Sequence, residues 1–151
     1  IQKQAVLILD IGAKTTNIII TEGRNRWFRI VPIAGDDITR DIASEFNLSF
    51  SDAEILKKEK GDVGLDSTAE KRISSCILKS IIRLTGEITR SIDVYCSSFN
   101  SLGIKHIFIT GGTSQLRNIG QFLTKKFRIE TKELGTSKTF RIGSGIKKGL
   151  L

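Results

Sequence analysis

Asp10-Ile11-Gly12-Ala13-Lys14-Thr15-Thr16 places a carboxylate, a glycine and two hydroxyls within one short stretch. A glycine lets the backbone bend tightly and aim N–H groups at an anion. An Asp at the end of a strand can hold Mg²⁺ through its water shell. Such a set could cradle a phosphate and its counter-ion; the same residues also make an ordinary hairpin with a polar turn. Glu54, Lys57 and Lys58 follow at helical spacing, on one face. They could present an acceptor and two cations to a ligand, or form a charge pair on a solvated helix. Gly111-Gly112-Thr113-Ser114-Gln115 comes after an apolar run. Glycines there would bring backbone close to an anion at a helix N-terminus, or serve only the geometry of a strand-to-helix turn.

The elements that must carry these residues are readable from periodicity. Residues 5–10, 17–22 and 26–33 are apolar and β-branched, which predicts three consecutive strands in a meander, with Pro32 at the end of the third. A helix is expected from Gly35, capped by Asp36 or Asp37, with Ile38, Ile42 and Phe46 as its buried stripe. Ser51 and Glu54 have capping-box spacing and predict a second helix ending at Gly61. A glycine-containing connector over 61–69 leads to a long helix over about 70–100. Ile73, Ile77, Ile81, Leu84, Ile88, Ile92 and Tyr95 give that helix one apolar face, with Gly86 as a mild fault. A fourth strand over 106–110, a short helix from Asn118 to Lys126, a fifth strand over 127–134 and the start of a terminal helix near Gly143 complete the expectation.

Length and composition bound the class. The chain has 151 residues, 39% hydrophobic and 26% charged, as expected of one globular domain or of a domain with a small appendage. The absence of methionine and the abrupt start on a strand fit a piece of a longer protein. Cys76 and Cys96 lack metal-ligand spacing and read as reduced, half-buried thiols. The net charge of +8 is spread over separate clusters with no interleaved aromatic ladder. Solvated basic faces are therefore expected, rather than dedicated nucleic-acid binding. No run approaches a membrane span. His106 starts a strand with no partner in sequence and reads as structural.

The three segments Asp10–Thr16, Ala53–Lys58 and Ile109–Leu116, in this order and separation, resemble the second half of the actin-like ATPases. Within that superfamily the chain is similar to the PilM type of type IV pilus assembly protein, with the FtsA type second. Ile33–Ala43, Leu48–Lys58 and Glu87–Asp93 carry this likeness. The resemblance implies an α/β, ribonuclease H-like domain with a five-stranded mixed sheet flanked by helices. It implies a single domain II of IIA type over 1–151, from a longer two-lobed protein. The 61–69 connector would stand in place of a larger insert that FtsA proteins carry.

The resemblance also implies an ATP site with Mg²⁺. Asp10 would anchor the metal through water. Gly12, Ala13, Lys14, Thr15 and Thr16 would face the phosphates. Lys14 could add charge there or point to solvent. Gly35 would lie near the sugar and phosphates, Glu54 would take the ribose hydroxyls, and Lys57 and Lys58 would flank the base. Gly111 and Gly112 would bring backbone close to the purine and the α-phosphate, and Thr113 and Gln115 would line the base. No residue is expected to be catalytic; with only one phosphate loop in this stretch, weak ATPase activity at most is expected of the intact protein and none of this chain alone. The implied partner is the cytoplasmic tail of an inner-membrane pilus assembly protein (PilN-like), together with self-association. The implied location is cytoplasmic, peripheral to the inner membrane through that partner. The FtsA alternative is a filament tethered to the membrane in cell division. A nucleic-acid module and a metabolic kinase of the same superfamily are the remaining readings.

Overall fold

The structure is a computed structural model that describes residues 4–64 and 71–134. Residues 65–69 of the connector and the terminal helix expected near Gly143 lie outside the described residues. Strands β1 (Ala5–Ile11), β2 (Thr16–Glu22) and β3 (Asn25–Val31) form the meander. Helices α1 (Gly35–Phe46), α2 (Phe50–Lys60) and α3 (Lys71–Phe99) follow, then β4 (Ile104–Thr110), a 3₁₀ turn over Gly112–Gln115, α4 (Ile119–Phe127) and β5 (Thr131–Glu133). The sheet order is β3-β2-β1-β4-β5. The first three strands pair antiparallel, while β1–β4 and β4–β5 pair parallel. The mixed five-stranded sheet is thus the expected one.

Strand alternation decides which side is covered. Leu7, Leu9 and Ile11 of β1 and Ile18 and Ile20 of β2 are fully buried on one face. Against it lie Ile77, Ile81, Leu84 and Ile88 from the α3 stripe and Ile38 and Ile42 from α1. Each fully buried Leu or Ile contributes about 1.5–3 kcal/mol relative to exposure. On the opposite face, Phe28 and Ile30 are exposed. Arg29 reaches from β3 to Glu87 of α3, Nη2 to Oε2 at 2.8 Å, and ties the edge strand to the long helix.

Three local expectations are corrected. First, α1 is not capped by the Asp36 or Asp37 side chain at the N-cap position. The N-cap is Ala34, whose N–H donates to Asp37 Oδ2 at 2.9 Å. Second, the N-cap of α2 lies two residues before Ser51, at Ser49, whose Oγ accepts from the Asp52 N–H at 3.1 Å. Ser51 heads the same spacing, but Glu54 is committed to other partners. Third, β5 is confined to Thr131–Glu133, because Phe127 ends α4 and Arg128 turns left-handed at φ 57°. No helix among the described residues is long and apolar enough to cross a membrane.

Candidate functional site

Parallel pairing brings the carboxyl ends of β1 and β4 side by side, with Asp10 opposite Thr110. The turns after both strands therefore emerge at the same edge of the sheet. The β1–β2 hairpin tip packs on the start of α1. The Gly35 N–H donates to Gly12 O at 3.1 Å and the Asp36 N–H to Ala13 O at 2.7 Å. These two helix-start donors have no intrahelical partner, and the hairpin carbonyls satisfy them. Thr113 Oγ1 of the 3₁₀ turn donates to the same Gly12 O at 2.8 Å.

Helix α2 joins this junction through Lys57. Its buried ammonium donates to Gly35 O at 3.0 Å and to Thr39 Oγ1 at 2.8 Å, and pairs with Glu54 Oε2 at 2.7 Å. Gly35 sits where the segments meet. An added Cβ there would lie 2.5 Å from Thr113 Oγ1, 3.3 Å from Gly12 O and 3.4 Å from Lys57 Nζ. Burial raises the Glu54 pKa, but bonds from Lys57 and Thr39 and the charges of Lys57 and Lys58 outweigh it and hold the carboxyl below its ordinary range.

The surface above this junction is a groove of about 620 Å³. Gly12, Ala13, Gly35, Glu54, Lys57, Lys58, Gly112, Thr113 and Gln115 line it. Three segments far apart in sequence thus share one hollow. The other residues singled out from sequence do not line the groove. Lys14 and Thr15 are exposed at the hairpin tip. Thr16 is fully buried, and its hydroxyl donates to Ile33 O at 2.7 Å. Asp10 is half-buried, with Oδ2 accepting from Asn17 Nδ2 at 3.1 Å. Gly111 is held at φ 91°, where a Cβ would lie 2.5 Å from Ile11 O. It lets the β4 turn pass tightly over the end of β1.

Asp36, Glu59, Gly61, Leu116 and Arg117 also line the groove wall, and none of them stood out as a site residue in the sequence. Arg117 is placed by a clamp of two long-range bonds: the Val63 N–H donates to Arg117 O at 3.0 Å, and Asn118 Nδ2 donates to Asp62 Oδ1, 56 positions away, at 2.7 Å. No local pattern announces such a pairing. The lining carries Asp36, Glu54 and Glu59 against Lys57, Lys58 and Arg117. Its formal charge balances, so polyphosphate would need backbone N–H groups and a counter-ion as well. Among the described residues no group of three or more His, Cys, Asp or Glu is set to hold a metal directly. A magnesium ion bound through its water shell needs one carboxylate plus the phosphates themselves. Asp10, at the end of β1 beside the hairpin, is a carboxylate on this edge of the sheet, although it does not itself line the groove.

Comparison with known proteins agrees with this fold. The family model described as cell division protein FtsA matches residues 7–148. The chain is 26% identical to cell division protein FtsA of Escherichia coli K12, covering 84% of this chain and 36% of that protein. It is also 26% identical to chaperone protein dnaK3 of Thermosynechococcus vestitus, covering 87% of this chain and 20% of that protein. The chain therefore spans only between a fifth and about a third of these relatives' length. Among solved structures it is similar to a PilM-PilN type IV pilus biogenesis complex, with TM-score 0.71 and 28% identity over 87% of this chain and 36% of that one. MreB5 of Spiroplasma citri bound to AMPPNP shares the fold, with TM-score 0.68 and 22% identity over 87% of this chain and 48% of that one. With its mixed sheet and its match along nearly the whole length, the chain belongs to the FtsA family of the actin-like ATPase superfamily.

Proposed function

We propose that this chain is the second-lobe, IIA-type domain of a two-lobed actin-like protein and supplies one wall of its ATP site. The observation that carries the reading is the convergence of the hairpin, α2 and the Gly112 turn on a single groove. In this reading the hairpin tip around Ala13 and Lys14 faces the phosphates. Asp10 holds a magnesium ion through water, and the ion neutralises charge on the phosphates. Glu54 accepts from the ribose hydroxyls with Oε1, since Oε2 is taken by Lys57 and Thr39. Gly112 and Gln115 border the purine, and exposed Lys58 covers its edge. Lys57 and Thr16 support the wall from within.

Donors on both sides of a transferring phosphoryl group are needed for efficient hydrolysis. This wall alone provides binding and orientation, and the nucleotide sets closure of the two lobes and so the affinity for partners. The finer role we infer is a scaffold of type IV pilus assembly, cytoplasmic and held at the inner membrane by the tail of a PilN-like partner, with self-association. Likeness to a PilM structure supports it, as does the short span between Lys60 at the end of α2 and Lys71 at the start of α3. The family match to FtsA favours the second reading, a membrane-tethered cell-division filament.

Calorimetry with Mg-ATP on the intact protein tests the site. Asp10→Asn and Glu54→Gln each remove one charge at constant shape. Each is expected to weaken binding by about tenfold, the size of a lost charge-assisted bond. Wild-type affinity in both variants would refute the assignment.

A further inference from the structure

We propose that Thr113 is a positioning residue for the hairpin tip, setting the affinity of the groove for the phosphate portion of a nucleotide without touching it. The inference rests on the nucleotide reading above and adds a residue role to it. Thr113 is 6% exposed, and its hydroxyl donates to Gly12 O at 2.8 Å across 101 residues of chain. The same oxygen accepts from the Gly35 N–H at 3.1 Å. Two donors from two elements therefore fix the direction of one carbonyl.

A trans peptide is planar, so its N–H points opposite to its C=O. No peptide among the described residues is cis. With Gly12 O drawn toward Gly35 and Thr113, the Ala13 N–H must point away from them. The next peptide repeats the pattern, because Ala13 O accepts from the Asp36 N–H at 2.7 Å and the Lys14 N–H points away in turn. Successive backbone N–H groups aimed outward are what an anion binds. The Gly12 N–H is not among them, because it closes the hairpin on Thr15 O at 3.1 Å.

The anchor is itself rigid. The turn carrying Thr113 begins at Gly111, wedged against Ile11 O and Asp10 Oδ1. Only a glycine at 35 leaves room for the hydroxyl, since a Cβ would lie 2.5 Å from it. Thr113 thus couples the β4 turn, on the purine side of the groove, to the peptides on the phosphate side.

The experiment compares Thr113→Val, which keeps the shape and loses the donor, with Thr113→Ser, which keeps the donor. ATP and adenosine affinities are measured on the intact protein, and amide hydrogen exchange is measured at Gly35 and Asp36 without ligand. The Val variant is expected to lose about fivefold in ATP affinity, the size of one net hydrogen bond. Adenosine binding should stay within about twofold, exchange at Gly35 should rise, and Ser should restore both. Equal losses for ATP and adenosine, or unchanged exchange with unchanged ATP affinity, would overturn the role of Thr113. If exchange rises in Thr113→Val while the wild type binds neither ligand, the nucleotide reading falls and takes the affinity role with it, leaving only a backbone contact.

Discussion

Replacing Lys57 by Met removes a buried ammonium while keeping the length of its stem. In the wild type that ammonium serves Gly35 O, Thr39 Oγ1 and Glu54 Oε2 together. Removing one partner of a fully buried ion pair costs about 3–5 kcal/mol, because the other charge is stranded. Glu54 is not fully stranded: its side chain keeps 27% exposure, and Lys58 Nζ lies 3.6 Å from Oε1. Water and Lys58 then carry part of its charge, which lowers the expected cost to about 2–3 kcal/mol. At about 2–4 °C per kcal/mol for a chain of this size, the melting midpoint should fall by about 4–12 °C. Lys58→Met is the control. Its side chain is 72% exposed, and the change should stay within about 0.5 kcal/mol. Urea unfolding of both variants, with Glu54→Gln completing a double-mutant cycle on Lys57, reads the difference. A Lys57→Met variant as stable as Lys58→Met would refute the view of Lys57 as an internal strut between α2 and the start of α1.

Acid should weaken the same junction. The folded Glu54 carboxyl lies below its ordinary range, so its stabilisation is complete above about pH 4.3 and is lost as pH falls through the depressed folded value. Urea unfolding between neutral and acid pH should show a shallower acid limb in Glu54→Gln than in wild type, and parallel curves would contradict this. Glu87, lowered chiefly by its bond from Arg90, acts in the same direction, so Glu87→Gln should flatten the limb independently. Gly111→Ala should cost about 1–3 kcal/mol, because it combines a left-handed φ with a Cβ 2.5 Å from Ile11 O. Its neighbour Gly112→Ala meets nothing within 4 Å and should be near neutral by thermal melting.

The sheet and the long helix were legible because their patterns are local. Alternation over β1 and β2 and the three-four spacing from Ile73 to Tyr95 map directly onto the buried face. What the sequence hid was decided by long-range partners. Ser51 and Glu54 have capping-box spacing, yet Ser49 takes the N-cap position through the Asp52 N–H, while Glu54 is bonded to Thr39 and Lys57 rather than reaching back. Asp36 and Asp37 look like N-caps of α1, yet carbonyls from the hairpin tip take its first N–H groups. Lys57 and Lys58 look alike on a helix, and only packing under Gly35 separates a strut from a surface cation. The three site segments were legible as a set; the Asp62–Arg117–Asn118 clamp that completes the groove wall was not.

In the proposed function the groove above Gly35 receives a nucleotide. A Mg-ATP titration of the intact protein in wild type, Gly112→Ala and Gly112→Phe decides whether it does. Gly112 lines the groove and an added Cβ there meets nothing within 4 Å, so a side chain can start from it without displacing its neighbours. Wild type and Gly112→Ala should bind alike, while Gly112→Phe should lose more than about tenfold, as expected when a side chain occupies the ligand's place. Wild-type affinity in Gly112→Phe, or no binding in the wild type, would contradict it.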